Sequence, residues 1–515
     1  MPDPEAVRPP VRRTLKPARA SRSHMHSPAH KSEVRFILPG SLPDPVPFLI
    51  KGSEHRSNQS FDVISPSTGK VVHRCHSASI GDATAAVDAA AEALRAWRKT
   101  PPEVRRDIFL KATEVMNKRR PELRRYMGDE TGCEVGWVDF NVDVTINHIK
   151  DVAGRIATLE GSFPTTMSPD TSAIVMQEPY GVVLAIAPWN APYILGARAV
   201  IFPIAAGNTV VLKGSELCPR TMLAIASVFQ EAGLPDGVLN VIFNERSSAA
   251  SVTTALIQNP HVKKINFTGS TAVGRIVSKL AGEHLKPIVL ELGGKAPAIV
   301  WEDANLDLAA DQCALGSFIN SGQVCMATEK ILVHKAIRAE FEKKLAMSVA
   351  KMFSAENDAP VLISAAAVAK NKALVKDAIA MGASVVHGNL DLQEATQTRL
   401  RPIVLNNVTT EMDLYKTESF GPTVSILEIE TEEEAIRLAN DTEYGLSSAL
   451  FTSDLRRGLR IAREIETGAV HINNMTVHDE SALPHGGAKS SGYGRFNASA
   501  GLSEWVRSKT VTFRN

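Results

Sequence analysis

The stretch GVVLAIAPWNAPYILGARAVIFPIAAGNTVVLK, residues 181–213, indicates the fold of this chain. Apolar runs at 182–187 and 209–213 flank a segment of helical length, 193–205. Strands that are apolar throughout and are joined by helices are typical of a parallel sheet covered on both faces. The prolines in this stretch argue against a membrane span, because the backbone groups they free would need partners inside the bilayer.

The alternation of strand and helix continues downstream of residue 213. Further strands are predicted at 238–243, 264–268 and 287–292, with helices at 219–232, 247–258 and 271–283. This pattern predicts a doubly wound α/β domain. Such sheets bind ligands beyond the carboxyl ends of their strands, so the loops after those strands are where functional residues are expected.

The segment before residue 181 is predicted to begin with short strands, at 48–51 and 61–64, and to continue as helices. Asp82 is expected to cap a helix that runs to about Trp97. Thr100-Pro-Pro-Glu103 has the pattern of a capping box with proline at the first helical position.

Composition sets the class of protein. The chain has 515 residues, of which 44% are apolar and 22% charged, and its formal net charge is +1. This length predicts several domains, and this balance argues against disorder of the whole chain and against nucleic acid as a partner. The five cysteines are an odd number, far apart, with no Cys-x-x-Cys pair, so we expect no metal site and a reducing, cytoplasmic compartment.

The first 47 residues differ from the rest, being rich in Arg, Pro, Ser and His. We predict that residues 1–47 form a disordered tail. Their Arg-rich, acid-poor composition also fits a mitochondrial presequence, although their prolines oppose the amphipathic helix that such a sequence needs.

A thiol and a carboxylate form the candidate catalytic pair. Cys325 lies in the segment FINSGQVCMAT, residues 318–328, and Glu291 begins Glu-Leu-Gly-Gly-Lys, 34 positions earlier. A thiol attacks carbon as the thiolate, so a nearby base would activate it. The alternative is a buried, inert cysteine.

Polar residues follow several predicted strands. Asn190 could donate to an oxyanion, although asparagine is also a common turn former. Lys213 and Glu216 offer an ammonium and a carboxylate for the hydroxyls of a ribose, or a solvated ion pair. Gly269 and Ser270 precede a predicted helix, where backbone amides favour a phosphate but where Ser is also an ordinary N-cap.

Together with Glu418, a carboxylate in a predicted turn, these residues lie in a set of motifs that resembles the aldehyde dehydrogenase superfamily from about residue 48 to the C-terminus. The matching motifs, in family order, are Ala187-Pro-Trp-Asn190, Lys213-Gly-Ser-Glu216, Phe267-Thr-Gly-Ser270, Glu291-Leu-Gly-Gly-Lys295, Gly322-Gln-Val-Cys325, Glu418-Ser-Phe-Gly-Pro422 and Ser491-Gly-Tyr-Gly494. The chain lacks the Gly-x-Gly-x-x-Gly fingerprint, but this family binds its dinucleotide without it.

The resemblance implies a role for each matched residue. Cys325 would be the nucleophile, Glu291 the general base and Asn190 an oxyanion donor. The cofactor positions it implies are Lys213 and Glu216 at the adenosine ribose, Gly269 and Ser270 at the pyrophosphate, Glu418 at the nicotinamide ribose, and Phe420 and Trp189 near the nicotinamide. A carboxylate at Glu216 would repel a 2'-phosphate, so NAD is expected rather than NADP.

Within the family, the stretches 136–142, 213–220 and 494–496 are similar to the branch containing salicylaldehyde and vanillin dehydrogenases. We therefore expect oxidation of an aromatic aldehyde to its acid. Trp137 and Phe140 lie about one helical turn apart and could line an aromatic pocket, or could be core residues of a helix. An aliphatic or semialdehyde dehydrogenase, and a Cys-dependent thiol hydrolase or acyltransferase, are the alternatives.

The resemblance also predicts the domain organisation. Residues 48–160 and 182–290 would form the NAD-binding domain, and 291–490 a second α/β, catalytic domain. A small β arm, 161–181 with 491–515, would join subunits into a homodimer or homotetramer.

Three positions depart from the family pattern. Gly214 stands where proline is usual and is expected to loosen its turn. His485 replaces a phenylalanine, and Phe496 lies where an acid is common. Neither His485 nor Phe496 is expected to touch the proposed chemistry.

Overall fold

A computed structural model describes residues 44–354 and 358–514, and two seven-stranded sheets form its framework. In order across the first sheet, the strands are Ile288–Glu291, Val262–Thr268, Val182–Ile186, Thr209–Lys213, Leu239–Ile242, Phe48–Ile50 and Ser53–His55. The five predicted strands are all present and run parallel, and the last two strands pair antiparallel at one edge. All five residues of Thr209–Lys213 are buried, so both faces of this central strand are covered.

The second sheet is also mainly parallel. Its strands, in order, are Ser384–His387, Ile403–Asn406, Thr423–Ile429, Thr328–His334, Ala296–Val300, Ser448–Phe451 and Val470–Ile472. The chain passes from the first sheet to the second between Glu291 and Ala296. This short connection begins directly after Glu291, the candidate base.

Three two-stranded sheets complete the β structure. Their pairs are Ser60–Ile64 with Val71–His76, Tyr444–Gly445 with Ala488–Lys489, and Thr171–Pro179 with Val506–Arg514. The last pair is antiparallel over nine residues and forms an arm whose apolar side chains are partly exposed. Trp505, which directly precedes the second strand of this arm, is not part of the arm, because it is fully buried in the core of the first sheet.

The helices lie between these strands. They span Ile80–Trp97, Pro102–Lys118, Arg120–Thr131, Val135–Arg155, Pro192–Ala205, Pro219–Glu231, Ala249–Gln258, Thr271–Glu283, Leu306–Phe318, Arg338–Met352, Ala365–Ala380, Asp413–Lys416, Glu432–Asn440, Leu455–Glu464 and Ala498–Ser503. Short 3₁₀ turns occupy Ile156–Thr158, Arg246–Ser248 and Ile319–Gly322. Among the described residues, no helix is both long enough and apolar enough to cross a bilayer.

Both predicted caps differ from those in the structure. The first helix is capped by Ser79, and Asp82 is the third helical residue whose carboxylate bonds back to Ser79, so the capping box begins three residues earlier than expected. The predicted box at Thr100 is absent, because Pro101 occupies the cap position and makes no side-chain bond to the helix.

The N-terminal boundary also differs from the prediction. Residues 1–43 lie outside the described part, but Val46 is fully buried and pairs with Cys75, and Asp44 accepts a bond of 2.8 Å from the backbone of Arg74. Residues 44–47 therefore belong to the folded structure and not to a tail.

Candidate active site

The candidate nucleophile and base come from the two sheets. Glu291 is the last residue of a strand in the first sheet, and Cys325 lies in the turn before the strand Thr328–His334 of the second. Glycines let these turns approach each other closely. A side chain at Gly294 would place its Cβ 2.1 Å from the carbonyl oxygen of Cys325, and Gly322 has a φ of 71° with the Gly421 carbonyl 2.3 Å from where its Cβ would be.

Cys325 and Glu291 are in contact. The Sγ of Cys325 lies 3.6 Å from Oε1 of Glu291, in hydrogen-bonding position. Desolvation and the charge of Glu291 raise the pKa of the Cys325 thiol well above its usual value, while Arg198 opposes them. The resting pair is therefore a thiol donating to a carboxylate, and forming the thiolate requires transfer of this proton.

Arg198 and His485 both contact the carboxylate of Glu291. Arg198 binds Oε2 through Nη2, and His485 Nε2 lies 3.2 Å from Oε1. Burial alone would raise the pKa of Glu291, but Arg198 and then His485 overcome it and hold the pKa at about 2. Glu291 is thus ionised throughout the neutral range.

Arg198 is the centre of a larger buried network. Its Nη1 binds Asp479 at 3.0 Å, and its guanidinium lies 4.7 Å from the centre of the Phe496 ring. Asp479 in turn accepts a bond of 2.6 Å from Asn497. Arg198 is 1% exposed, so this charge is balanced almost wholly by the two carboxylates.

These contacts correct the expectation that His485 and Phe496 lie away from the chemistry. His485 contacts the candidate base directly, and Phe496 packs on the arginine that binds that base. The two residues also pair through their backbones in an isolated antiparallel bridge. Sequence order alone gave no sign of this, because His485 lies 194 positions from Glu291.

Asn190 lies against the same turn as Cys325. Its Nδ2 donates to the carbonyl of Gln323 at 3.0 Å, and its own carbonyl accepts bonds from Trp137 and Asn320, each 3.0 Å long. Since an amide nitrogen carries two hydrogens, one remains for a substrate oxygen. These three bonds fix the loop and orient the side chain.

The end of the strand Thr209–Lys213 carries Lys213 and, three residues later, Glu216, the two residues predicted to bind the adenosine ribose. Lys213 is buried, with 8% of its surface exposed, and Glu216 is the charged residue that acts on it. Burial lowers the pKa of Lys213, and Glu216 partly opposes this.

Packing explains why glycine and not proline occupies position 214. Its missing Cβ would lie 2.5 Å from the ring of Phe243 and 3.1 Å from Met222, so a proline ring has no space here as the side chains are arranged. Further along the same edge, Ser270 caps the helix Thr271–Glu283 by accepting from Val273, and Gly269 packs against Phe267. The ordinary capping role of Ser270 is therefore present.

A buried ion pair supports the loop that carries Glu418 and Phe420. Lys295 binds Glu329, whose carboxylate accepts bonds of 2.8 and 3.2 Å from the backbones of Ser419 and Phe420. Phe420 has a φ of 49°, which this contact helps to hold. Lys295 also donates to the carbonyl of Thr417, so the pair fixes this loop from both ends.

Glu418 and the aromatic residues lie on that loop. Glu418 accepts a bond of 2.9 Å from Gly294, and burial, followed by the charge of Glu329, raises the pKa of Glu418 to about 7. Trp189 and Phe420 meet edge to face, with ring centres 5.9 Å apart. The predicted cofactor residues Glu418, Phe420 and Trp189 are thus close to the Cys325 turn.

Trp137 and Phe140 line a cavity of about 530 Å³ beside the Cys325 turn. Their rings stack, with centres 5.3 Å apart and planes 20° from parallel. Trp137 is buried and hydrogen-bonded to Asn190, whereas Phe140 is 39% exposed. Both readings of this pair hold in part, since Trp137 belongs to the helix core and also forms the cavity wall. The other wall includes Phe318, Asn320 and Ser321.

Taken together, the fold and site are those of an enzyme that uses a thiol nucleophile beside a dinucleotide-binding sheet. A protein-family model described as the aldehyde dehydrogenase family matches residues 53–511. The chain belongs to this family. It is an NAD(P)-dependent aldehyde dehydrogenase that acts on a small-molecule aldehyde.

Known proteins of this family are similar along nearly the whole chain. A vanillin dehydrogenase of Pseudomonas fluorescens is 43% identical over 477 residues, covering 91% of this chain and 98% of that protein. The crystal structure of a salicylaldehyde dehydrogenase from Pseudomonas putida G7, complexed with salicylaldehyde, matches with a TM-score of 0.87 at 36% identity, covering 91% of this chain and 98% of that one. A betaine aldehyde dehydrogenase of Staphylococcus aureus in complex with NAD+ matches with a TM-score of 0.86 at 31% identity, covering 90% and 94%.

Sequence reasoning missed the groups that hold the functional residues. Arg198, Asp479 and Glu329 are buried charges whose partners lie far away in sequence. One signal was available for Arg198, because a charged residue inside an otherwise apolar helix must find a buried partner. Nothing in the sequence said which partner that would be.

Proposed function

We propose that this enzyme oxidises aromatic aldehydes to carboxylic acids, with NAD as the hydride acceptor. The observation that carries the proposal is the stacked Trp137–Phe140 wall of a cavity of about 530 Å³, which Asn320 and Ser321 also line and whose Trp137 is bonded to Asn190. Flat aromatic walls favour flat aromatic ligands through offset stacking and area burial. The similarity to vanillin and salicylaldehyde dehydrogenases supports the same substrate class.

The first half of the reaction would form a covalent adduct on Cys325. Its proton passes to Glu291 Oε1, its hydrogen-bonding neighbour, and the sulfur attacks the aldehyde carbon. Asn190 Nδ2 and the backbone N–H of Cys325 would donate to the resulting oxyanion. Glu418, Phe420 and Trp189 would hold a nicotinamide beside Cys325, and this group, when bound, would supply the hydride acceptor needed to reach the thioester.

The second half would release the acid. Glu291 first releases the thiol proton to solvent. It then takes a proton from water, and the hydroxide attacks the thioester carbon. The C–S bond breaks, and the leaving thiolate takes this proton back from Glu291, which restores the thiol of Cys325. Arg198 holds Glu291 in place for these proton transfers.

Four features support NAD as the cofactor. Lys213 and Glu216 would take the hydroxyls of the adenosine ribose, and Glu418 those of the nicotinamide ribose. Gly269 and Ser270 begin the helix whose N-terminus would face the pyrophosphate. The carboxylate of Glu216 would disfavour a 2'-phosphate, so Glu216→Gln should narrow the ratio of specificity constants for NAD over NADP.

Substrate class can be tested by comparing kcat/KM for benzaldehyde and acetaldehyde. The proposal predicts a clear preference for benzaldehyde, and Phe140→Ala should reduce kcat/KM for benzaldehyde by about tenfold or more while changing that for acetaldehyde much less. Phe163→Ala, at an exposed position away from the cavity lining, is the matched control. A higher kcat/KM for acetaldehyde in the parent would favour the aliphatic alternative.

The arm formed by Thr171–Pro179 and Val506–Arg514 supports a homo-oligomer. It exposes Ile174, Met176 and Phe513 at 39–42% of their surfaces, which is costly for a free two-stranded sheet. Sedimentation of the parent and of a triple Ser variant at these positions would test it, because only the variant should sediment as a monomer. The five unpaired cysteines support a reducing, cytoplasmic location.

A further inference from the structure

We propose that Gln323 is a positioning residue for the oxyanion site: its buried side chain holds the turn before Cys325 and so fixes the direction in which Asn190 donates. This inference rests on the roles proposed above for Cys325 and Asn190. Gln323 lies two positions before the nucleophile, and 2% of its surface is exposed.

The turn before Cys325 has an uncommon backbone. Asn320, Ser321 and Gly322 are three successive residues in the left-handed region, with φ values of 50°, 61° and 71°. Two of them carry a Cβ, which makes this region costly for any residue other than glycine. Such a conformation persists only where the surrounding contacts determine it. The bonds that hold this turn are therefore part of how the site is built.

The side chain of Gln323 makes three of these bonds. Its Nε2 donates to the carbonyls of Asn320 and Val361, at 3.1 and 3.2 Å, and its Oε1 accepts from the backbone of Ile363 at 2.8 Å. Both hydrogens of the amide and its oxygen are therefore used within the protein. The first bond closes the left-handed turn, and the other two tie the turn to residues 361–363.

The same turn decides where Asn190 points. The backbone carbonyl of Gln323 accepts one hydrogen of Asn190 Nδ2 at 3.0 Å, and the side chain of Asn320 donates to the carbonyl of Asn190 at 3.0 Å. The position of the Gln323 carbonyl therefore directs the second Nδ2 hydrogen. If the turn relaxes towards ordinary backbone angles, this carbonyl moves, and the second hydrogen no longer meets the oxyanion that develops beside Cys325.

Cys325 has separate support. Its carbonyl oxygen lies 2.1 Å from where a Cβ on Gly294 would be, so the two turns pack backbone to backbone, and its Sγ contacts Glu291. These contacts do not involve the side chain of Gln323. Loss of that side chain should therefore disturb the oxyanion site more than the sulfur.

Two reactions of Cys325 separate the oxyanion site from the nucleophile in Gln323→Met. In alkylation by iodoacetamide, sulfur bonds to carbon as iodide leaves, and no oxyanion develops. Oxidation of benzaldehyde with NAD passes through a tetrahedral adduct, and its kcat/KM covers all steps up to hydride transfer. We expect kcat/KM to fall about 10- to 100-fold, and the alkylation rate constant, measured without cofactor, to change less than about threefold.

Asn240→Leu is the matched control for loss of a buried amide. Asn240 is also buried between two segments, where it accepts from the backbone of Lys51 at 2.9 Å and donates to the carbonyl of Gly237 at 2.8 Å. It lies in the strand Leu239–Ile242 of the first sheet. This variant should lose folding stability, as Gln323→Met does, and keep kcat/KM within about twofold of the parent.

A double variant tests the route through Asn190. In an Asn190→Ala background, Gln323→Met should lower kcat/KM by no more than about twofold, because the group that it positions is already absent. A full loss in that background would overturn the proposal, as would alkylation and kcat/KM falling by the same factor.

Asn190→Ala alone separates this proposal from the proposed mechanism. A kcat/KM near that of the parent would remove the oxyanion donor from the mechanism, and the role of Gln323 with it. A large loss in Asn190→Ala with none in Gln323→Met would overturn only the role of Gln323.

Discussion

Replacing Arg198 with methionine tests the network that holds the candidate base. The side chain keeps its length and apolar stem, but Glu291 and Asp479 lose their shared cation in a site that excludes solvent. Both carboxylates then remain buried with their charges largely unbalanced. We expect loss of folding stability at neutral pH and a change in how stability depends on pH.

The burial and the charges around Glu291 indicate how large the loss of folding stability should be. Glu291 has a pKa of about 2, against an ordinary 4.5, which corresponds to about 3 kcal/mol of stabilisation. Because this pKa is lowered by folding, the stabilisation is fully present above about pH 4.5 and is lost as pH falls through about 2. Removing one member of a buried ion pair costs about 3 to 5 kcal/mol in general, and this is the loss expected for Arg198→Met.

The assay is urea unfolding of the parent and of Arg198→Met at about pH 5 and pH 7, with tryptophan fluorescence as the signal for unfolding. The variant should lose about 3 to 5 kcal/mol at pH 7 and less at pH 5, because burial without Arg198 raises the pKa of Glu291 and protonation then removes its charge. Arg155→Met, which breaks a partly exposed pair with Asp151, should cost less than about 1 kcal/mol.

Two results would refute this reasoning. One is a loss below about 1 kcal/mol at pH 7, equal to that of Arg155→Met. The other is a full loss that is the same in a Glu291→Gln background, since the coupling between Arg198 and Glu291 should make the two substitutions non-additive.

Three other predictions follow from the site. Asn190→Ala should reduce kcat by about 10²- to 10³-fold through loss of an oxyanion donor, and turnover within about twofold of the parent would remove that role. The KM for NAD should rise as pH falls below about 7, where Glu418 gains a proton, and Glu418→Gln should make KM high and independent of pH across this range. Lys295→Met should weaken NAD binding measured by calorimetry about tenfold or more, because Glu329 then no longer holds the Phe420 loop; unchanged affinity would show that the ion pair does not position this loop.

The strands, and the positions of the polar residues at their ends, could be predicted because each depends on a short segment. Thr209–Lys213 was predicted residue for residue, since a continuous apolar run bounded by Asn208 and Gly214 has few other interpretations. The caps near Ser79 and Pro101 were placed wrongly, because several neighbouring residues can supply a cap and only the local backbone decides among them.

The supporting charges could not be predicted, because each depends on contacts across the whole fold. Arg198 and Asp479 are 281 positions apart, and His485 reaches Glu291 only through the turn that pairs it with Phe496. Comparison with a family pattern singles out the positions that match it. His485 departs from that pattern, so the comparison gave no reason to expect its contact with Glu291.

The central claim is that the substrate becomes an acyl group on Cys325. It is tested most directly by mass spectrometry of Glu291→Gln after prolonged mixing with benzaldehyde and NAD, since this variant should form the thioester slowly, without its proton acceptor, and release it more slowly still. We predict one benzoyl group per chain, located on the peptide that contains Cys325. The double variant Cys325→Ser/Glu291→Gln should carry none. NADH formation with no benzoyl group, or with the label on another residue, would contradict the mechanism.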